Sequence, residues 1–206
     1  MAVRVIIFDC DGVLFLSEGA NLAFYNEVLR RAGQQRVSPS AEAACHTLAS
    51  TQLFDRMFAD RPDVLARVRL AAQEVDYGPF YDLMTPRPGL YGTLSTLGSA
   101  YRLAMATNRG RTATGVIDRF GLRPYLELTV GVLDVARPKP HPDMLVRCVD
   151  HFGVNAHEAV YVGDQEIDAA AARAAGLNFV AMGAAVASAR HRIEGLEELA
   201  EFVARM

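Results

Sequence analysis

The sequence predicts an α/β fold: a doubly wound, Rossmann-like parallel sheet core carrying an all-helical insert. Three observations predict it. Short apolar runs recur along the chain, each closed by Gly, Asp, Asn or Thr and followed by helical spacing, the alternation expected of a parallel sheet. That alternation fails after the first run, over about residues 17–85, where only helical patterns occur. The run ends also carry carboxylates, a hydroxyl, an amide and a lysine, and open α/β sheets bind their ligands at the carboxyl ends of the strands.

The first strand is expected over residues 3–8. Its residues Val5-Ile6-Ile7-Phe8 are uniformly apolar, as in a strand buried on both faces. Apolar residues at three- and four-residue steps then predict helices over 21–32, 40–59 and 62–75, the last with proline near its first turn. Pro86-Arg87-Pro88-Gly89 is rich in turn formers and marks the return from the insert, after which 90–97 resumes helical spacing. Further strands are expected at 102–106, 159–162 and 178–182, with a weaker one at 126–130. Helices at 112–120, 142–152, 166–175 and 196–205 alternate with them. The expected division is therefore a core of residues 1–16 and 86–206 and a helical domain of residues 17–85. The sequence holds no internal repeat and no low-complexity segment.

Composition narrows the function. Hydrophobic residues are 51% of the 206, enough to bury a substantial core. A formal net charge of -3 gives no overall attraction to nucleic acid, which favours a small-molecule partner. Cys10, Cys45 and Cys148 form no Cys-x-x-Cys pair and no disulfide framework, consistent with a reducing, cytoplasmic setting. The apolar start of the chain stops at Asp9, too short for a secretory segment, and nothing approaches the ~18 uninterrupted apolar residues of a membrane span.

The strand ends carry the chemistry. Asp9-Cys10-Asp11-Gly12 sets two carboxylates one residue apart, which implies a bound cation or acid/base chemistry unless the segment is a solvated turn. Thr107-Asn108 offers a hydroxyl, an amide and backbone N–H groups, fit for a phosphate or for an ordinary helix cap. Lys139 sits among Pro138, Pro140 and Pro142, which restrict the backbone around it and reduce the entropy lost in holding the ammonium against carboxylates or a phosphoryl group. Val162-Gly163-Asp164 is followed by Asp168 one helical turn later, so both carboxylates can face one ion. Hard oxygen ligands of this kind suit Mg²⁺, and an Asp helix cap is the alternative. Strand alternation turns Cys10 away from the two aspartates, which makes it a packing residue. His141 and His151 pair with no nucleophile and read as structural or surface residues. The arginines of the helical stretch (Arg30, Arg31, Arg36, Arg56, Arg61, Arg67 and Arg69) read mostly as solvated faces.

The order Asp-x-Asp, Thr-Asn, Lys-Pro, Gly-Asp-x-x-x-Asp resembles the haloacid dehalogenase superfamily, in its subgroup with a helical cap inserted after the first strand, as in phosphoglycolate phosphatase-like enzymes. The resemblance runs from residue 3 to about residue 182. It implies a Mg²⁺-dependent phosphatase for a small phosphorylated metabolite, with residues 17–85 as a cap that closes over the leaving group. Asp9 is then the nucleophile that forms an aspartyl-phosphate, and Asp11 the general acid and base. Asp9, Asp164 and the Asp11 backbone carbonyl bind the metal, with Asp168 in or behind that shell. Thr107 and Asn108 receive phosphate oxygens, and Lys139 offsets charge. The presence of Asp11 disfavours a dehalogenase. The alternatives are a phosphomutase of the β-phosphoglucomutase type and a non-catalytic phosphometabolite-binding protein. Two departures stand out: Leu16 replaces a carboxylate frequent in phosphoglycolate phosphatase-like chains, and Arg109 stands where many relatives have lysine.

Overall fold

A computed structural model describes residues 2–206. Along the chain the elements are β1 (Val5–Phe8), β2 (Phe15–Leu16), α1 (Glu18–Arg31), α2 (Glu42–Thr47), α3 (Ser50–Met57), α4 (Pro62–Glu74), α5 (Gly78–Tyr81), β3 (Thr85–Pro86), α6 (Leu90–Gly98), β4 (Arg102–Ala106), α7 (Thr112–Arg119), β5 (Leu128–Val130), α8 (Asp143–Phe152), β6 (Ala159–Gly163), α9 (Glu166–Ala175), β7 (Asn178–Met182), β8 (Arg192–Ile193) and α10 (Leu199–Ala204). They form two units. One runs to Leu16 and resumes at Pro86, and the other is Ser17–Thr85.

The first unit is built on a six-stranded sheet of order β5-β4-β1-β6-β7-β8, parallel at every pairing. Every residue of β1 is buried, as its continuous apolar run requires when both faces of the sheet are covered. Val5 and Ile7 join Ala104, Ala106, Val130 and Tyr161 in one core layer. Met144, Leu145, Cys148 and Phe152 of α8, with Ala171 and Ala172 of α9, complete it. Helix α6 packs against β4.

The winding positions the site. The chain runs from β1 out through β4 and β5, then crosses to the other side of β1 and runs out again through β6, β7 and β8. The strand order therefore reverses beside β1, and at such a reversal the helices diverge and leave a crevice at the strands' carboxyl ends. Phe8 pairs with Met105 on one side and Val162 on the other, so the residues that follow all three strands emerge at the same edge.

The second unit is entirely helical apart from Thr85 at its end. Tyr25, Val28 and Leu29 of α1 meet Leu53 and Phe54 of α3 and Val68 and Ala71 of α4 in a separate apolar core. Phe24, Tyr77 and Phe80 pack ring against ring beside it, and the Tyr77 hydroxyl donates to Asn21 Oδ1 at 3.2 Å. The continuous helix expected over 40–59 is broken here. Leu48 and Ala49 are extended, with ψ of 150° and 147°. The Ala49 N–H donates to Gln52 Oε1 at 3.1 Å, which supplies an acceptor at the start of α3. The break lets Cys45 of α2 and Leu53 and Phe54 of α3 all reach the same core. The helix expected over 196–205 likewise begins as a 3₁₀ turn, Leu196–Glu198, before α10. Among the described residues, no helix is long and apolar enough to cross a membrane.

Candidate active site

Asp9 directly follows β1, and its backbone N–H donates to the Val162 carbonyl at 2.9 Å, carrying the ladder one residue past the strand. Asp164 directly follows β6, and Asp168 lies in the first turn of α9. These three carboxylates each place an oxygen within 4.8 Å of the others. Gly12 has a φ of 76°, and a Cβ there would fall 2.1 Å from Asp164 Oδ2. Only glycine lets the loop after β1 both turn this way and lie under that carboxylate. Arg87 fastens the same loop: its Nε and Nη2 donate to the Gly12 carbonyl at 2.8 and 2.5 Å, and its backbone N–H donates to the Leu14 carbonyl.

Lys139 lies in the middle of the carboxylates and is 1% exposed. Its Nζ donates to Asp168 Oδ1 and to the Tyr161 hydroxyl, both at 2.8 Å, and forms an ion pair with Asp9 Oδ1 at 2.8 Å. The Tyr161 hydroxyl lies 3.0 Å from Asp168 Oδ1 and 3.2 Å from the Ala106 carbonyl, so its one proton serves acceptors on two sides. Asp168 is fully buried, and its Oδ2 accepts the Gln165 N–H at 3.0 Å, capping α9. Asn108 holds the lysine from behind: its Oδ1 accepts the Lys139 N–H at 3.0 Å, and its Nδ2 donates to the Lys139 carbonyl at 3.2 Å. Thr107 is buried, and its Oγ1 accepts the Arg109 N–H at 3.2 Å.

Charge compensation is incomplete. Asp9 and Asp168 share the single Lys139 ammonium, each at 2.8 Å, and Asp164 Oδ1 is a buried oxygen with no hydrogen-bond donor. Burial pushes the Asp9 carboxyl well above its ordinary value; Lys139 opposes this, while Asp168, Asp164 and Asp11 add to it. Burial likewise pushes Asp164 up to about 6, against the hydrogen bond from Gln165. Lys139 moves the other way: burial disfavours its charge, but Asp168 and Asp9 outweigh burial and raise it. Three carboxylates converging at a sheet edge, one of them with a bare buried oxygen, fit a divalent cation that prefers hard oxygen donors.

The seven residues expected from the sequence divide into two sets. Asp9, Lys139, Asp164 and Asp168 come together as one cluster, and Asn108 reaches it through the Lys139 backbone. Asp11 lies 17% exposed with both oxygens held by Arg109: Nε donates to Oδ2 at 2.8 Å and Nη2 to Oδ1 at 2.6 Å. Thr107 connects to that pair through the Arg109 N–H. Three participants escape sequence reasoning. Tyr161 interrupts the otherwise small and aliphatic run of β6, and a buried tyrosine needs a hydroxyl partner, which is a readable signal. The carboxylate partner of Arg109 and the loop anchored by Arg87 have no local signal, because each partner lies more than 70 residues away in sequence. Cys10 is fully buried, its thiol pushed well up by burial and then by Asp11, as suits packing. His141 and His151 are exposed.

A family model described as haloacid dehalogenase-like hydrolase matches residues 6–182. A phosphoglycolate phosphatase of Rhodospirillum rubrum is 30% identical over 195 residues, covering 87% of this chain and 79% of the relative. A pyrophosphatase of Halalkalibacterium halodurans is 23% identical, with 90% of this chain and 86% of the relative covered. Among solved structures, a haloacid dehalogenase-superfamily hydrolase from Geobacter sulfurreducens superposes with a TM-score of 0.78 at 33% identity, covering 98% of this chain and 96% of that one.

Proposed function

The chain belongs to the haloacid dehalogenase-like hydrolase family and is a phosphatase, and from that premise we propose that it hydrolyses a small phosphorylated metabolite through an aspartyl-phosphate on Asp9. The observation that carries this reading is the buried Lys139 ammonium set between Asp9 and Asp168. A cation held there by a backbone that Asn108 fixes can offset both the nucleophile and the incoming phosphoryl group without rearranging.

In the first step an Asp9 carboxylate oxygen attacks phosphorus. The new Asp9–phosphorus bond forms as the bond from phosphorus to the leaving oxygen breaks, and Asp11 gives that oxygen its proton. In the second step the Asp11 carboxylate takes a proton from water. The water oxygen bonds to phosphorus, inorganic phosphate departs, and Asp9 is restored with Asp11 again protonated. Thr107 and the backbone at Asn108 receive phosphoryl oxygens, whose charge builds in each transition state. Asp168, both of whose oxygens already accept hydrogen bonds, holds Lys139 and the start of α9 in place.

Asp9, Asp164 and the Asp11 backbone carbonyl would hold a divalent cation, Mg²⁺ by the hardness of the donors, which when bound offsets charge on the carboxylates and phosphoryl oxygens. Relatives are named for phosphoglycolate and for pyrophosphate. Leu16, apolar and exposed, is the reason not to carry the phosphoglycolate name over. The test is a screen of phosphorylated metabolites for Mg²⁺-dependent phosphate release. Release that Asp9→Asn abolishes supports the reading, and turnover that survives Asp9→Asn overturns it.

A further inference from the structure

We infer that Arg109 is a positioning residue that sets the orientation of Asp11 for proton transfer. This rests on the reading of Asp11 as the acid and base. The guanidinium is 6% exposed and grips both Asp11 oxygens, through Nε at 2.8 Å and Nη2 at 2.6 Å. Two parallel contacts from one planar fork fix the plane of the carboxylate as well as its distance, which a point charge cannot do.

The fork is itself presented from a fixed backbone. The Arg109 N–H donates to Thr107 Oγ1 at 3.2 Å, and its carbonyl accepts the Val132 N–H at 3.1 Å. Gly131 lies so close behind that a Cβ there would approach the Arg109 carbonyl oxygen to 2.8 Å. Arg87 fastens the other side of the loop at Gly12, so Asp11 is held through its side chain and its neighbour's carbonyl. Each carboxylate oxygen has more than one lone-pair site. An Asp11 oxygen that accepts from the guanidinium therefore keeps a second site for the proton to be donated, with both contacts retained. The ammonium beside Asp9 is that of Lys139.

Leaving-group dependence tests the role directly. Phenyl phosphate departs as a strongly basic oxygen that needs a proton, whereas dinitrophenyl phosphate departs as a weak base that does not. The parameter kcat/KM reports steps up to formation of the phosphoenzyme. Arg109→Met is expected to lower kcat/KM for phenyl phosphate by roughly 10²-fold, within the range for a positioned acid, and to leave dinitrophenyl phosphate nearly unchanged. Arg109→Lys should fall between Arg109→Met and the native enzyme. The ratio between the two substrates does not depend on the fraction of folded enzyme, so partial misfolding cannot imitate the pattern. Asp11→Asn is the reference. If it is selective for phenyl phosphate while Arg109→Met lowers both substrates equally or neither, the inference about Arg109 is overturned and the acid role of Asp11 stands. If Asp11→Asn shows no selectivity, the acid role itself fails, and the inference fails with it.

Discussion

Both units carry ion pairs on their surfaces, but among the described residues the buried charges belong to the sheet unit. In the helical unit, ion pairs such as Glu27 with Arg30 and Arg31, or Asp55 with Arg69, lie on the surface, and all seven arginines considered from the sequence are exposed. Its core is apolar and aromatic. In the sheet unit, Asp9, Lys139, Asp168 and Arg109 are buried. Removing charges from water costs several kcal/mol each unless partners replace the solvent, so a buried charged network is weak support for stability and a strong pointer to function. The cluster also sets three carboxylates, Asp9, Asp164 and Asp168, around the one Lys139 ammonium, and Asp164 Oδ1 has no hydrogen-bond donor.

That contrast can be broken most decisively at Asp9. Asp9→Asn keeps the shape of the side chain and removes the proposed nucleophile, and phosphate release is expected to fall on the order of 10³-fold or more. Lys139→Met tests the cost of the buried network. It leaves two buried carboxylates without their cation and is expected to destabilise the metal-free protein by roughly 3–5 kcal/mol in urea unfolding. A loss below about 1 kcal/mol would mean that the cluster is solvated and the contrast false. Tyr161→Phe removes one member of the network while keeping its ring. The expected loss is about 1–3 kcal/mol, since Lys139 and Asp168 each lose a partner in a dry site.

How much of this was legible beforehand follows the range over which each signal acts. Strand β4 and helix α9 lie where the apolar periodicity puts them, because both are dictated by residues within their own length. The expected single helix over 40–59 fails at Leu48 and Ala49, where Gln52 and the shared core at Cys45 and Phe54 prevail over helical spacing. Asp9, Lys139, Asp164 and Asp168 could be anticipated to converge, since strand ends in a doubly wound sheet meet at one edge. The bidentate hold of Arg109 on Asp11 could not, because it is created by the fold and leaves no periodic trace in the chain.

Two smaller effects sharpen the comparison. Asp164 titrates near 6 in the folded protein, above its ordinary 3.8. A carboxyl raised on folding contributes stability that is complete below its unfolded value and is lost as pH rises through the folded one. The metal-free protein should therefore gain about 1 kcal/mol from this group as pH falls from about 7 to about 5, read by thermal unfolding in matched buffers. Saturating Mg²⁺ should remove that dependence, since a bound cation replaces the proton. The smallest effect belongs to the helical unit. Asp55→Ala breaks an exposed ion pair and should change stability by less than about 0.5 kcal/mol at any of these pH values, with turnover unaltered.

The central claim is that Asp9 carries the phosphoryl group during turnover. It is tested most directly by acid-quenching the enzyme during rapid turnover of a radiolabelled aryl phosphate with Mg²⁺ and mapping the label by peptide. A hydroxylamine-labile phosphoryl group on the Asp9 peptide, absent from Asp9→Asn, is the predicted result. Label on any other residue, with turnover intact in Asp9→Asn, would contradict it.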